Sequence, residues 1–203
     1  EGGDKTIAVG SGLAAIASAM LAFVSAGDHV LVCDNGYSPT RNLSENFLKR
    51  FGVETSYYDP MDSTGVRDHF RPNSKAIYLE APGSHTFEVM DVGAIAGAAR
   101  DAGIKVVMDN TWSAGYFFKP FDFGVDVAVQ AATKYHVGHS DAMLGAVTVT
   151  KEDQEVVFAS ARQLGHHAAP DDAYLGLRGM RTMSVRMDRH ETNALKVAEW
   201  LAG

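Results

Sequence analysis

Four places in the chain put residues capable of chemistry just after an apolar, strand-like run: Ser11–Gly12, Tyr37, Asp109 and Lys134. Asp109 closes the run IKVVMD, and Lys134 closes DVAVQAATK. Each has an ordinary structural explanation when taken singly. An acid at a strand end caps a helix, a lysine there is a solvated charge, and a loop tyrosine covers the core. Together they meet the demands of one cofactor. Pyridoxal phosphate needs an amine for its aldehyde and an acid for its pyridine nitrogen. It also needs an anion site for its phosphate and a flat group against its ring. Lys134 offers the amine, Asp109 the acid that keeps the ring nitrogen protonated, and Tyr37 the flat group. The Thr133 hydroxyl, one residue before the lysine, falls near the phosphate.

The segment VGSGLAAI offers the anion site. It follows a predicted strand and opens a predicted helix, and an array of backbone N–H groups at a helix start attracts phosphate. Ser11 is placed to cap that helix. The same residues fit a competing pattern. Gly10-x-Gly12-x-x-Ala15, with Asp34 about 20 residues on as a ribose-binding acid, matches the dinucleotide fingerprint of nicotinamide enzymes. A plain strand-to-helix turn is the third reading. The turn alone leaves all three open.

Other polar clusters are weaker. His136, His139 and Asp141 in HVGHSD have the spacing of metal ligands, but no further ligand cluster accompanies them, so backbone or solvent partners are expected and no metal. Arg178, Arg181, Arg186 and Arg189 read as a helix face pairing with acidic neighbours.

These residues need elements to hold them. Apolar, β-rich runs predict strands at 5–9, 29–33, 53–58, 75–79, 105–108, 125–129 and 146–150. Amphipathic segments between them predict helices at 12–25, 39–51, 62–70, 92–102 and 154–165, with a long helix from about 184 to 202. The alternation predicts an α/β domain with a mostly parallel seven-stranded sheet and helices on both faces. Near-continuous apolar strands suit a sheet covered twice. In such sheets ligands bind beyond the carboxyl ends of the strands, where all four candidate places fall.

The chain has 203 residues, 46% hydrophobic and 21% charged, a composition that suits one globular core. Its formal net charge of −7 argues against a nucleic-acid surface. The most apolar stretch, 13–24, is too short for a bilayer, which needs about 20 residues, and no signal peptide is visible. The single cysteine, Cys33, excludes an internal disulfide and fits a reducing, cytoplasmic setting. The sequence opens at Glu1 without a methionine and stops just after a helical pattern, so a piece of a longer protein is expected.

The run ATKYHVGHSDAMLG resembles the lysine signature of the cysteine and methionine metabolism pyridoxal-phosphate enzymes, the family of cystathionine β- and γ-lyases, cystathionine γ-synthase and methionine γ-lyase. The resemblance extends over SGLAAI, GYSPTRNL, YLEAPGSHTFEVMD, VVMDNTWSAGYFFKPFDFGVD and LRGMRTMSVRMDRH. Several motifs in the correct order are far more specific than the glycine turn, and they favour pyridoxal phosphate over a nicotinamide. PGSHTFEV, with Gly83–Ser84 in place of an Asn–Pro pair, is most similar to the bacterial cystathionine β-lyase branch.

The resemblance implies the large cofactor domain of the type I, aspartate-aminotransferase-like fold, over residues 1–180. Residues 181–203 would then be a linker helix toward a further domain. It implies that Lys134 bonds the cofactor and acts with Tyr37 in catalysis. It implies that Asp109 partners the ring nitrogen, and that Gly12 and Leu13 N–H groups with Thr133 hold the phosphate. Ala131 stands where many relatives have a phosphate-contacting serine, and Ser84 near where others have an asparagine at the cofactor hydroxyl. The implied reaction is β-elimination of a sulfur amino acid, cystathionine, to homocysteine, pyruvate and ammonia, in a homodimer or homotetramer. Family members are longer, with an N-terminal tyrosine and arginine that serve a neighbouring subunit and a C-terminal arginine for the substrate carboxylate, so this piece is expected to be incomplete for activity. The γ-acting members share every cofactor residue, and an inactive truncated relative is the non-enzymatic alternative.

Overall fold

The computed structural model describes all of the chain, Glu1–Gly203. Seven strands form one sheet: β1 (Lys5–Val9), β2 (His29–Cys33), β3 (Glu54–Tyr58), β4 (Ser74–Glu80), β5 (Lys105–Asp109), β6 (Val127–Gln130) and β7 (Gly145–Val149). Their order is β1-β7-β6-β5-β4-β2-β3. β7 runs antiparallel to β1 and to β6, and every other pair is parallel. Six strands therefore point one way, and their carboxyl ends share an edge. The central strands β2 and β5 are valine-rich and almost wholly buried, as a sheet covered twice requires.

Between the strands lie α1 (Gly12–Leu21), α2 (Ser38–Asn42) and α3 (Val92–Asp101), and after β7 follow α4 (Gln154–Gln163), α5 (Pro170–Met180) and α6 (Met183–Ala202). α1 starts where sequence dictates. Ser11 has extended backbone and its hydroxyl accepts the Ala14 N–H at 3.1 Å. The helix then presents Ala15, Ile16, Ala19 and Met20 to the core and packs on β6 and β7. α3 uses the same device, with Asp91 accepting from the Ala94 N–H at 3.0 Å.

The expected elements are present with three differences. The segment 62–70 forms a 3-10 turn over Gly65–His69 rather than an α-helix, because Asp62 accepts from both Thr64 Oγ1 and the Gly65 N–H and tightens the chain there. The predicted helix at 39–51 begins as α2 and widens into a π-helical stretch at Leu43–Leu48. α5 was not expected as a helix: Gly176 and Gly179 weaken its pattern. Gly179 is there for contact, since a Cβ on it would lie 2.1 Å from the His136 carbonyl oxygen. The arginine helix of residues 184–202 is α6, of which Met187 alone is buried. No helix of the chain is long and apolar enough to cross a membrane.

Candidate cofactor site

The shared carboxyl edge of the sheet opens into a cavity of about 410 Å³. Its walls include Gly12, Leu13, Tyr37, Asp109, Thr133 and Lys134, so the six residues singled out from sequence converge on one space. They arrive from four directions. β1 delivers the start of α1, the loop after β2 delivers Tyr37, β5 ends on Asp109, and the turn after β6 carries Thr133 and Lys134. Lys134 is not a strand residue, as the sequence suggested. β6 stops at Gln130, and the chain turns so that the Lys134 N–H donates to the Ala131 carbonyl at 3.0 Å. The Thr111 hydroxyl accepts the Ala131 N–H at 2.7 Å and bends the strand exit toward Asp109.

Asp109 is buried. The Thr111 N–H donates to its Oδ1 at 2.9 Å, and the Tyr78 hydroxyl lies 3.4 Å from its Oδ2. Burial pushes its pKa above the ordinary carboxylate value, while the Thr111 contacts and the Lys134 ammonium pull it back. A cationic group beside Asp109 would complete that compensation. The Lys134 ammonium has no carboxylate within ion-pair distance and stands 5.8 Å from the centre of the Tyr37 ring. The Tyr37 ring is 41% exposed and faces the cavity, a position unlike that of a core aromatic.

The glycine turn works for a reason beyond anion access. A Cβ on Gly12 would sit 2.7 Å from the Ala131 Cβ and 3.0 Å from its Cα, so glycine lets the start of α1 abut the lysine loop. The first-turn N–H groups of Gly12 and Leu13 have no partner within the helix, as at any helix start. They border the cavity with Thr133. The Thr133 hydroxyl donates to the Leu144 carbonyl at 3.1 Å and accepts the Leu144 N–H at 2.8 Å, so it must turn its hydrogen from Leu144 to serve an anion. The cavity thus fits pyridoxal phosphate: amine, acid, flat ring and unpartnered helix amides lie around one space.

The dinucleotide alternative fails on position. Asp34 pairs with Arg41 on the surface, with 62% of its side chain exposed, and lies outside the cavity. β1 is also an edge strand beside antiparallel β7, whereas the dinucleotide fold places its glycine turn after a central parallel strand. In HVGHSD, His139 Nδ1 lies 2.9 Å from the Val137 carbonyl and Asp141 pairs with Arg178 at 3.0 Å. Arg186 serves backbone rather than an acid. Its guanidinium donates to the Tyr135 and Gly179 carbonyls at 2.8 and 2.9 Å.

Sequence reasoning missed Glu80 and Trp112, which also line the cavity. Glu80 ends β4 directly beside Asp109 in the parallel register. An acid closing an otherwise apolar strand was the available signal, the same one that marked Asp109. Burial and then the Asp109 charge push its pKa up to about 7. Ser84 Oγ donates to its Oε1, so Ser84 engages this acid at the cavity wall.

The model of the Cys/Met metabolism PLP-dependent enzymes matches residues 1–203. The chain belongs to that family. Its cofactor is therefore pyridoxal phosphate, and a nicotinamide is excluded. A putative cystathionine beta-lyase of Rhizobium johnstonii is 49% identical over all of this chain and 51% of its own length. The Escherichia coli cystathionine beta-lyase MetC is 44% identical over all of this chain and 52% of its own. An L-alanine/L-glutamate racemase of Wolbachia pipientis is 40% identical over 99% of this chain and 49% of its own. Among solved structures, cystathionine gamma-lyase from Lactobacillus plantarum, complexed with L-serine, superposes with a TM-score of 0.96 at 35% identity, over 99% of this chain and 53% of that one. The fold is thus that of the pyridoxal-phosphate lyases, type I. The chain spans about half the length of the curated relatives it matches.

Proposed function

We propose that the chain is the cofactor-carrying part of a carbon–sulfur lyase that cleaves L-cystathionine by β-elimination to homocysteine, pyruvate and ammonia. The observation that carries the reading is the convergence of Lys134, Asp109, Tyr37 and the start of α1 on one cavity. The relatives named cystathionine beta-lyase, at 49% and 44% identity, support the choice of substrate.

When bound, pyridoxal phosphate supplies an aldehyde for the substrate amine and a ring that takes up the electron pair left at Cα. The chain does the rest. Lys134 Nζ would hold the cofactor, and its free amine would take the Cα proton. Asp109 keeps a proton on the ring nitrogen, which sustains the pull on those electrons. The Tyr37 ring covers one face and its hydroxyl serves the proton transfers at the leaving sulfur. Gly12 and Leu13 N–H groups and the Thr133 hydroxyl orient the phosphate.

In this reading residues 1–180 form the cofactor domain and 181–203 link it to a further domain. The working enzyme is a homodimer or homotetramer of the cytoplasm, and the single free, buried Cys33 suits that compartment.

The test is borohydride reduction of the full-length protein, then peptide mass mapping and product analysis. A pyridoxyl adduct on Lys134 and pyruvate from cystathionine are expected. An adduct on another lysine overturns the assignment. 2-Oxobutyrate would instead mark γ-elimination, the reading favoured by the superposition on a γ-lyase. D-alanine from L-alanine would mark the chemistry named for the Wolbachia relative.

A further inference from the structure

Glu80 is 2% exposed, yet every oxygen of its carboxylate is engaged. Oε2 accepts the backbone N–H of Tyr37 at 2.8 Å and the Tyr78 hydroxyl at 3.2 Å, and Oε1 accepts from Ser84 Oγ. The Tyr37 N–H precedes α2 and has no backbone acceptor. The Tyr37 carbonyl accepts the Thr40 and Arg41 N–H groups at 2.8 and 3.3 Å, so the Glu80 bond supplies the anchor on the N–H side of the residue that carries the ring. The loops on either side are already tied, with the Ser84 N–H donating to the Asn35 carbonyl at 3.1 Å. Glu80 joins β4, the Ser84 loop and the Tyr37 loop at one point. The Tyr78 hydroxyl also reaches Asp109 Oδ2, so its single proton lies between the two carboxylates.

Resting on the cofactor reading above, we propose that Glu80 is a positioning residue whose buried carboxylate, by accepting the Tyr37 N–H, sets where the Tyr37 ring meets the cofactor. Glu80 itself touches no reacting atom in this role. A carboxyl group is suited to it because both oxygens can accept, and here they face the Tyr37 N–H, the Ser84 hydroxyl and a Tyr78 hydroxyl shared with Asp109. Glutamine has the shape to substitute. Its carbonyl can face Tyr37 and Tyr78 while its amide donates to Ser84 Oγ, which accepts as readily as it donates. Methionine fills the space but leaves the Tyr37 N–H unpaired, while the Tyr78 hydroxyl keeps Asp109.

The first test needs no substitution. Amide hydrogen exchange is measured in the full-length protein, with and without pyridoxal phosphate. Tyr37 should be protected and its neighbour Ser38, which has no hydrogen-bond acceptor, should exchange freely. Equal rates for the two overturn the proposal. Glu80→Met should remove Tyr37 protection, and Glu80→Gln should retain it. In turnover, Glu80→Met is expected to lower kcat by about 10–100-fold with KM within about threefold, the size of effect seen when a reacting group is misplaced. Glu80→Gln should recover kcat to within about fivefold of wild type. Tyr37→Ala combined with Glu80→Met should cost little more than the worse single change, because without the ring Glu80 has nothing left to place. Fully additive losses, or wild-type turnover in Glu80→Met, overturn the role of Glu80 while a pyridoxyl adduct on Lys134 leaves the lyase reading standing. Absence of that adduct from the wild type overturns the lyase reading itself.

Discussion

Each candidate residue makes a separable prediction. Lys134→Ala removes the only amine in the cavity, and full-length enzyme should lose turnover by about 10³-fold or more. The visible absorbance of the bound cofactor should shift, as a spectrum and a steady-state assay will show. With Asp109 as the proposed charge partner of the ring nitrogen, Asp109→Asn should lower kcat by about 10²-fold, the order found for one preorganised electrostatic partner, with melting temperature little changed. Glu80 predicts a pH effect on the cofactor-free protein. Its folded pKa of about 7 lies above the ordinary value of 4.5, so the fold prefers it protonated. That stabilisation is complete below pH 4.5 and is lost as pH rises through 7. Relative to wild type, Glu80→Gln should therefore gain stability between those limits, by about 1–3 kcal/mol. Paired denaturation curves at both pH values measure it, and equal pH dependence of the two proteins would contradict the burial effect.

Individual elements owe their places to close approaches. Gly12→Ala would drive a methyl group into Ala131. The start of α1 must then back away from the lysine loop, at a cost of about 1–3 kcal/mol. Thermal melting and a pyridoxal phosphate titration should both register it. Arg186→Met, on α6, frees the Tyr135 and Gly179 carbonyls that the guanidinium now satisfies. A stability loss of about 1–3 kcal/mol is expected, read as a lower melting temperature. The strands and most helices could be read from sequence because their signals are local. Valine-rich runs bury both faces in β2 and β5, and the side chains of Ser11 and Asp91 cap α1 and α3. α5 could not be read that way. Gly179 is explained by the carbonyls of residues 136 and 137 and Gly176 by the Leu144 side chain, all far back in the chain, and no local pattern records them.

For the molecule as a whole, the sheet order decides what meets what. β4, β5 and β6 are neighbours, so acids ending β4 and β5 and the lysine beyond β6 lie side by side. Sequence placed Asp109 and Lys134 after strands, and that was enough to expect a common edge. It could not reveal that Glu80 lies in register beside Asp109, because strand order is a property of the assembled sheet. Nor could it separate Asp34 from a ribose-binding acid. Only the fold shows that residue turned outward to Arg41. Substrate choice within the family is assigned by product analysis.

The turn bearing Lys134 hangs between two strands and is gripped from behind by Gly179 of α5 and Arg186 of α6. The loop that follows Lys134 is thus braced by helices some fifty positions downstream. A change that shifted that late pair of helices would therefore reach the backbone of residues 135–137, next door to Lys134, without touching the cavity wall itself.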